Sequence, residues 1–418
     1  MTTSRLSRAL LPGLLLVAAF IAAVILTHNL FTSRVPGMND FLSRWEGARS
    51  FFVDGLSPYS DEASLNIQRR IYGRPVINNE DPGFFVYPFY TAFVMWPLVF
   101  MEYAWASAVW LVFLQACLLA ALALILNLYR WRPAPLVLAA LLLWALFDYF
   151  AARGLLLGQP SHLVYLLQVV AVWGLVKQRD SLAGTALALS TLKPQMGYLI
   201  VPLLLLWALR ERRLRFVAAF ALSFGGLMLA SFIAQPDWLG DWVAQVRLYP
   251  QYTAAAYPDT GSPAWILTVG MFGLDLEWLL TLAFALPMLW GWYSLLVQRQ
   301  QARWLWVVLL TLVVTHLIAA RTATPHFVVF NLAIVAYLQQ AQRRLGSAAV
   351  VALLAAMAIF HWAQFALTIQ GRGNLEHPSL FLPLPLAMFA LLLLTRRWWW
   401  ERGVQPLTTG SNTRQPLP

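Results

Sequence analysis

Residues 9–31 read ALLPGLLLVAAFIAAVILTHNLF, and this apolar run decides the fold class. It follows Arg5 and Arg8 and is long enough to cross a bilayer, which takes about 20 apolar residues as a helix. The apolar region of a cleaved signal is shorter and is followed by a small-residue cleavage site, so the run reads as an uncleaved anchor with a cytoplasmic N-terminus. Comparable runs recur to the end of the chain. With 60% hydrophobic and 11% charged residues and a mean hydropathy of +0.64, a water-soluble domain could not hide its apolar surface. The expectation is an all-α integral membrane protein, a single polytopic domain over residues 1–402. The tail at 403–418, rich in Thr, Gly, Ser, Asn, Gln and Pro, is predicted to be disordered and cytoplasmic.

The net charge of +11 implies no nucleic-acid partner, because the basic residues sit in short links between apolar runs, where they set orientation. Read as cytoplasmic, these links are Arg130 with Arg132, Lys177 with Arg179, the cluster from Arg210 to Arg215, Arg299 with Arg303, Arg343-Arg344 and Arg396-Arg397. The spans between them fall at roughly 104–128, 135–152, 160–176, 216–234, 277–297, 304–320, 325–341, 348–369 and 379–395. With the anchor, and with 181–209 as a hairpin, about twelve crossings result. The lone cysteine, Cys117, lies in an apolar run and offers neither an internal disulfide nor a cysteine metal site.

The 29 residues of 181–209 are too few for two full spans, yet basic links bracket them on both sides. Lys193-Pro194 lies near the middle, and proline forces the residue before it out of helical geometry. Two short helices meeting at Lys193 and dipping in from the cytoplasm are expected. The run 84–100 reads as a short or re-entrant segment. Two outer loops stand out. In the first, 32–84, Phe41, Trp45, Ala48 and Phe52 share a helical face, as do Ala63, Ile67 and Ile71, which suggests interfacial helices on the bilayer. In the second, 234–263, Trp238, Trp242 and Tyr249 recur at near-helical spacing among acids. Together the two loops would roof a cavity at the outer leaflet.

Asp40 is the acid just past the anchor, where a membrane enzyme would hold a base. Asp40 or Asn39 as a mere helix cap is the competing reading. Lys193 inside an apolar run costs about 2.5–3.5 kcal/mol on insertion scales and calls for a partner, for which a phosphate is suited. Snorkelling to the interface is its alternative. Arg321 and His326 lie at the outer end of two late spans, where each is either a phosphate ligand or an interfacial side chain. Asp275-Leu276-Glu277 has metal-motif spacing but reads better as a helix start. Asp148 and Arg153 form a mutual ion pair or line a cavity, while Glu80, Asp81 and Asp237 read as solvated loop acids, with orienting an acceptor sugar as their alternative. No phosphate-binding glycine loop, dinucleotide fingerprint or zincin motif is present, so nucleotide-sugar use has no support.

Asp40 with Gly55 and Pro58-Tyr59, then Val86-Tyr87-Pro88, Gly158-Gln159, Lys193-Pro194 and Pro325-His326-Phe327, occur in an order that resembles glycosyltransferase family 87. The resemblance spans about residues 1–400. It departs where the family often has Tyr-Pro-Pro against Tyr87-Pro88-Phe89 here, and Asn after Gly-Gln against Pro160-Ser161-His162 here, differences that bear on the substrate. It implies a GT-C-type bundle and a polyprenyl-phosphate sugar as donor, as in mannosyltransferases that elongate phosphatidylinositol mannosides. It also implies Asp40 as the catalytic residue and places Tyr87 and Gln159 with Lys193, Arg321 and His326 in substrate binding. A phosphate leaves the anomeric carbon as a stable anion, so one carboxylate is enough, and direct attack inverts that centre.

The resulting expectation is an inverting hexosyltransferase of the plasma membrane, acting at the outer face. It would move a monosaccharide, with mannose favoured, to a glycolipid or cell-envelope glycan. Its partners are donor, acceptor and membrane lipid; no cofactor is implied, and a divalent-metal requirement is left open. The reading from another class is a transporter or lipid flippase with a cavity-facing phosphate site; no inverted repeat supports it.

Overall fold

The computed structural model describes residues 3–35, 37, 39–77, 80–256, 261–369 and 376–406. The tail expected to be disordered lies outside them from residue 407 on. Among them the architecture is helical. The anchor forms α1 (Thr3–Thr27) and ends in a wider turn at His28–Thr32. The first loop holds α2 (Asn39–Phe52), α3 (Asp61–Tyr72) and a short α4 (Thr91–Met95). Then come α5 (Tyr103–Leu128), α6 (Pro135–Phe147), α7 (Tyr149–Leu157) and α8 (Ser161–Val176). A broken element follows: α9 (Asp180–Leu189), a tight turn at Ser190–Leu192, α10 (Pro194–Gly197) and α11 (Ile200–Arg210). The second half comprises α12 (Leu214–Ala234), α13 (Trp238–Ala256), α14 (Pro263–Trp265), α15 (Glu277–Leu296), α16 (Trp304–Ile318), α17 (Asn331–Thr368), α18 (Pro383–Leu394) and α19 (Arg396–Glu401).

Among the described residues, six helices are long and apolar enough to cross a membrane, and a seventh crossing results if the bent pair α6 and α7 counts as one. Leu222, Leu229 and Ile233 on α12, and Leu282, Leu286 and Leu289 on α15, point outward. Such a large apolar exterior needs lipid to cover it. The chain is thus a multi-pass membrane protein. By contrast, α16 is apolar and buried on all sides, which makes it the central helix. In α17, Gly346 has φ +83°, a value that glycine adopts without steric cost. It separates helical runs at 331–345 and 347–368, beside the basic link at Arg343-Arg344.

Two expectations need revision. The span read as 135–152 bends by 43° at Asp148 and runs on to Leu157. Asp148 leaves helical geometry there and accepts a 2.8 Å contact from His361, while Arg153 approaches Glu376 at 3.7 Å; the two are therefore not a mutual pair. The apolar faces of α2 and α3 are covered by protein rather than lying on a bilayer. Phe41 stacks on Tyr103 and Trp110, Trp45 donates to the Leu98 carbonyl at 2.8 Å, and Ala63 and Ile67 are fully buried. Periodicity identified the faces but not what covers them. Residues 84–100, expected to be short or re-entrant, do form no membrane-length helix: an extended stretch leads into α4, with Phe85, Tyr87 and Phe89 buried in the core.

Candidate active site

Asp40 lies in the first turn of α2, where the positive end of the helix dipole favours a carboxylate. Among the described residues its side chain makes one hydrogen bond, accepted by Oδ2 from Gln159 Nε2, rather than capping the backbone of its own helix. Gln159 is aimed by the end of α7. Gly158 adopts φ +65°, and the N–H groups of Gly158 and Gln159 return to the Leu155 and Gly154 carbonyls at 3.1 and 2.8 Å, a Schellman closure. Trp110 Nε1 fastens the turn through the Gly158 carbonyl at 2.9 Å.

The other face of Gln159 meets the broken element. Lys193 has φ −129° and ψ 84°, extended as a residue before proline must be, so the two short helices expected there do meet at this position. Its ammonium donates to Gln159 Oε1, and Lys193 is 1% exposed. The exposed backbone of the break is satisfied internally, as a non-helical segment at membrane depth requires. Tyr90 donates to the Thr191 carbonyl at 3.1 Å, Thr91 to that of Leu192 at 3.4 Å and Gln168 to that of Met196 at 2.9 Å. Carboxylate, amide and ammonium thus form a continuous chain, Asp40–Gln159–Lys193, contributed by three distant parts of the sequence.

Around Asp40 a polar cleft is lined by Ser43, Arg44, Tyr72, Asp81, Tyr87 and Tyr249. Arg44 lies one helical turn after Asp40, 4% exposed. Its guanidinium sits 4.0 Å from the centre of the Tyr87 ring, and Nη2 donates to the Tyr87 hydroxyl. Nε and Nη1 of Arg44 are buried with no hydrogen-bond partner. Tyr87 is itself held by Tyr59, whose hydroxyl donates to its carbonyl at 2.7 Å. The second loop closes over this region as expected. Trp242 on α13 donates to the Val86 carbonyl at 3.2 Å, Gln245 to that of Tyr59 at 3.0 Å and Gln235 to Ser57 Oγ at 2.6 Å.

Behind Lys193 sit three buried histidines. The His326 ring accepts at Nδ1 from the Ala323 N–H at 3.2 Å, which fixes its proton on Nε2, and that N–H has no partner. His316 faces it at 5.5 Å between ring centres. His162 donates from Nε2 to the Ala151 carbonyl at 2.9 Å. There is room for this ring because Gly154 has no side chain: a Cβ there would lie 2.4 Å from His162 Cε1. All three lie close enough to feel the charge of Lys193. Arg321 stands at the rim, with Nη2 3.5 Å from the Pro250 carbonyl and with Tyr249 and Asp81 as electrostatic neighbours.

The structure therefore gathers Asp40, Gln159, Lys193, Tyr87 and His326 in one place, with Arg321 at the edge. Sequence reasoning gave Arg44 no role; Tyr249, read as part of a roof over the cavity, and Asp81 both line the cleft. The signal for Arg44 was available: it follows Asp40 by four residues and so shares its helical face. Glu277, one of the acids with metal-motif spacing, opens α15 and accepts from Ser262 Oγ at 2.9 Å, as a helix start would. Chemically the site is a carboxylate beside several buried donors that lack acceptors, an arrangement suited to an oxygen-rich anion.

A multi-pass helical membrane protein with a loop carboxylate linked to a cation on a broken helix defines the class. A sequence model of glycosyltransferase family 87 matches residues 85–319, more than half of the chain. The chain belongs to glycosyltransferase family 87 and is a glycosyltransferase. No curated protein and no solved structure matches it.

Proposed function

We propose that this chain is an inverting GT-C-type hexosyltransferase of the plasma membrane, with both termini in the cytoplasm and the Asp40 cleft on the outer face. It takes a monosaccharide from a polyprenyl-phosphate donor and passes it to a glycolipid or cell-envelope glycan. Mannose is the favoured sugar on the family resemblance alone. The observation that carries the reading is the Asp40–Gln159–Lys193 chain, which puts a base and a phosphate-seeking cation one amide apart.

In this mechanism the acceptor hydroxyl approaches the free Oδ1 of Asp40. Its oxygen bonds to the anomeric carbon as its proton passes to the carboxylate, and the bond from that carbon to the phosphate oxygen breaks with its electron pair. The leaving polyprenyl phosphate needs no proton, so a single carboxylate serves. Lys193 and the open guanidinium edge of Arg44 offset its charge, and the His326 Nε2–H adds a donor. Gln159 holds Oδ2 and orients the base without moving a proton. Twelve crossings are reached if the bent pair α6 and α7 counts as one, if Thr324–Thr368 counts as two across Gly346, and if Asp180–Leu189 and the shorter apolar helices Ser161–Val176, Ile200–Arg210 and Pro378–Leu394 also cross.

The test is direct. Purified protein is given a panel of polyprenyl-phosphate monosaccharides with membrane-derived acceptors, and products are read by mass. A product heavier by one sugar, with inverted anomeric configuration, is expected. Transfer only from nucleotide sugars would refute the donor assignment.

A further inference from the structure

The end of the bundle opposite Asp40 carries a second polar feature that sugar transfer does not use. Helix α16 runs from Trp304, just after Arg303, to Ile318, where the chain enters the segment that bears His326. Its 15 residues separate these ends by about 22 Å at 1.5 Å per residue. Arg396 and Arg397 follow the same far end of α18. On that face a groove is lined by Trp290, Trp306, Leu393, Arg396, Arg397 and Trp400. The guanidinium of Arg303 lies 4.8 Å from the Trp290 ring centre and 4.2 Å from that of Trp400. Arg303 Nη1 and the Trp400 indole N–H are buried without an acceptor. Arg396 and Arg397 are exposed, and none of the three arginines has an ion-pair partner among the described residues.

Tryptophans and arginines at a membrane boundary commonly serve as an interfacial belt. A belt accounts for their presence but not for two buried donors without acceptors beside a groove with no acid in its lining. We propose that this groove binds the phosphodiester headgroup of an anionic phospholipid from the leaflet opposite the Asp40 cleft. The arginines supply planar donors that match phosphate oxygens, and the two buried N–H groups complete the headgroup contacts. Lipid rather than dissolved phosphate is the occupant because the wall continues into exposed apolar side chains, Trp290, Leu286 and Leu289 on α15 and Leu394 on α18, which suit acyl chains.

Native mass spectrometry of the detergent-solubilised protein, titrated with phosphatidylglycerol or phosphatidylcholine, tests this. The wild-type protein should bind phosphatidylglycerol at least tenfold more tightly than phosphatidylcholine. R396Q/R397Q should lose most of that preference with phosphatidylcholine binding unchanged, and W400F should weaken phosphatidylglycerol binding severalfold. Both arginines are exposed, so folding is not at stake in the double variant, and W400F probes the same groove independently. Equal retention of phosphatidylglycerol by wild type and both variants would overturn the proposal. So would displacement of the bound lipid by inorganic phosphate alone, which would make this a general anion site.

Discussion

Gln159 cannot carry a proton, yet it is the side chain that joins the carboxylate to the ammonium. Its amide accepts from Lys193 on one side and donates to Asp40 on the other, which couples Lys193 to the proposed base. Replacing Lys193 with Met keeps length and apolarity and removes the cost of a buried charge. Donor affinity should fall by the value of a charge-assisted contact, about 1.5–3 kcal/mol, or roughly ten- to a hundredfold in Kd. Calorimetric binding of a polyprenyl-phosphate sugar reads this; an unchanged Kd with a lower melting temperature would reassign the lysine to structure. Asp40 and Lys193 stand out locally in the sequence, as an acid after an anchor and a lysine in an apolar run before proline, whereas Gln159 entered only through the Gly-Gln pair of the family resemblance. Arg44 shares the helical face of Asp40 in the sequence, yet in a polar loop helix it looks like any solvated charge. Only the tertiary fold buries it against Tyr87. Glu46, on the same helix, gives a prediction on pH. Burial raises its pKa above the ordinary 4.5, against the opposing pull of Arg70 at 3.1 Å. The folded state therefore binds this proton more readily than the unfolded chain, so its charge costs stability above the raised pKa, and that cost is relieved as pH falls towards 4.5. Glu46→Gln should remove this component. Melting temperatures at pH 8 and pH 5 should favour wild type over the variant more at pH 5, and parallel profiles would contradict the sign.

At the scale of the elements, the break at Lys193 is held by close packing of α9 on α12. A Cβ on Gly184 would lie 2.3 Å from the Phe216 carbonyl oxygen, whereas Gly225 on α12 has open space around it. Small residues let membrane helices approach backbone to backbone. Gly184→Val should destabilise by about 1–3 kcal/mol through overpacking, visible as a lower melting temperature in detergent, and Gly225→Val should not. Equal behaviour would mean that α9 is free to shift. The break itself was readable from Lys193-Pro194. The bend at Asp148 was not, since the residues before it are uniformly apolar and the partner of Asp148, His361, lies some 200 residues away. The faces of α2 and α3 were likewise found by periodicity and misplaced, because alternation along a helix does not tell protein from lipid.

For the molecule as a whole, the proposed orientation puts the basic links and the cleft on opposite sides of the membrane. In a background with Cys117 replaced, Asp54→Cys should react with an impermeant thiol reagent on intact cells, and Leu345→Cys only after permeabilisation. The reverse pattern would invert the orientation. The central claim, that Asp40 takes the acceptor proton in transfer from a lipid phosphate, is tested most directly by a single-turnover experiment on Asp40→Asn with donor binding measured on the same sample. The amide keeps the shape of the side chain and cannot accept the proton. Donor affinity should match wild type while product formation falls at least about a hundredfold. Product formed within about threefold of the wild-type rate, less than about 1 kcal/mol in the barrier, would show that Asp40 is not the base.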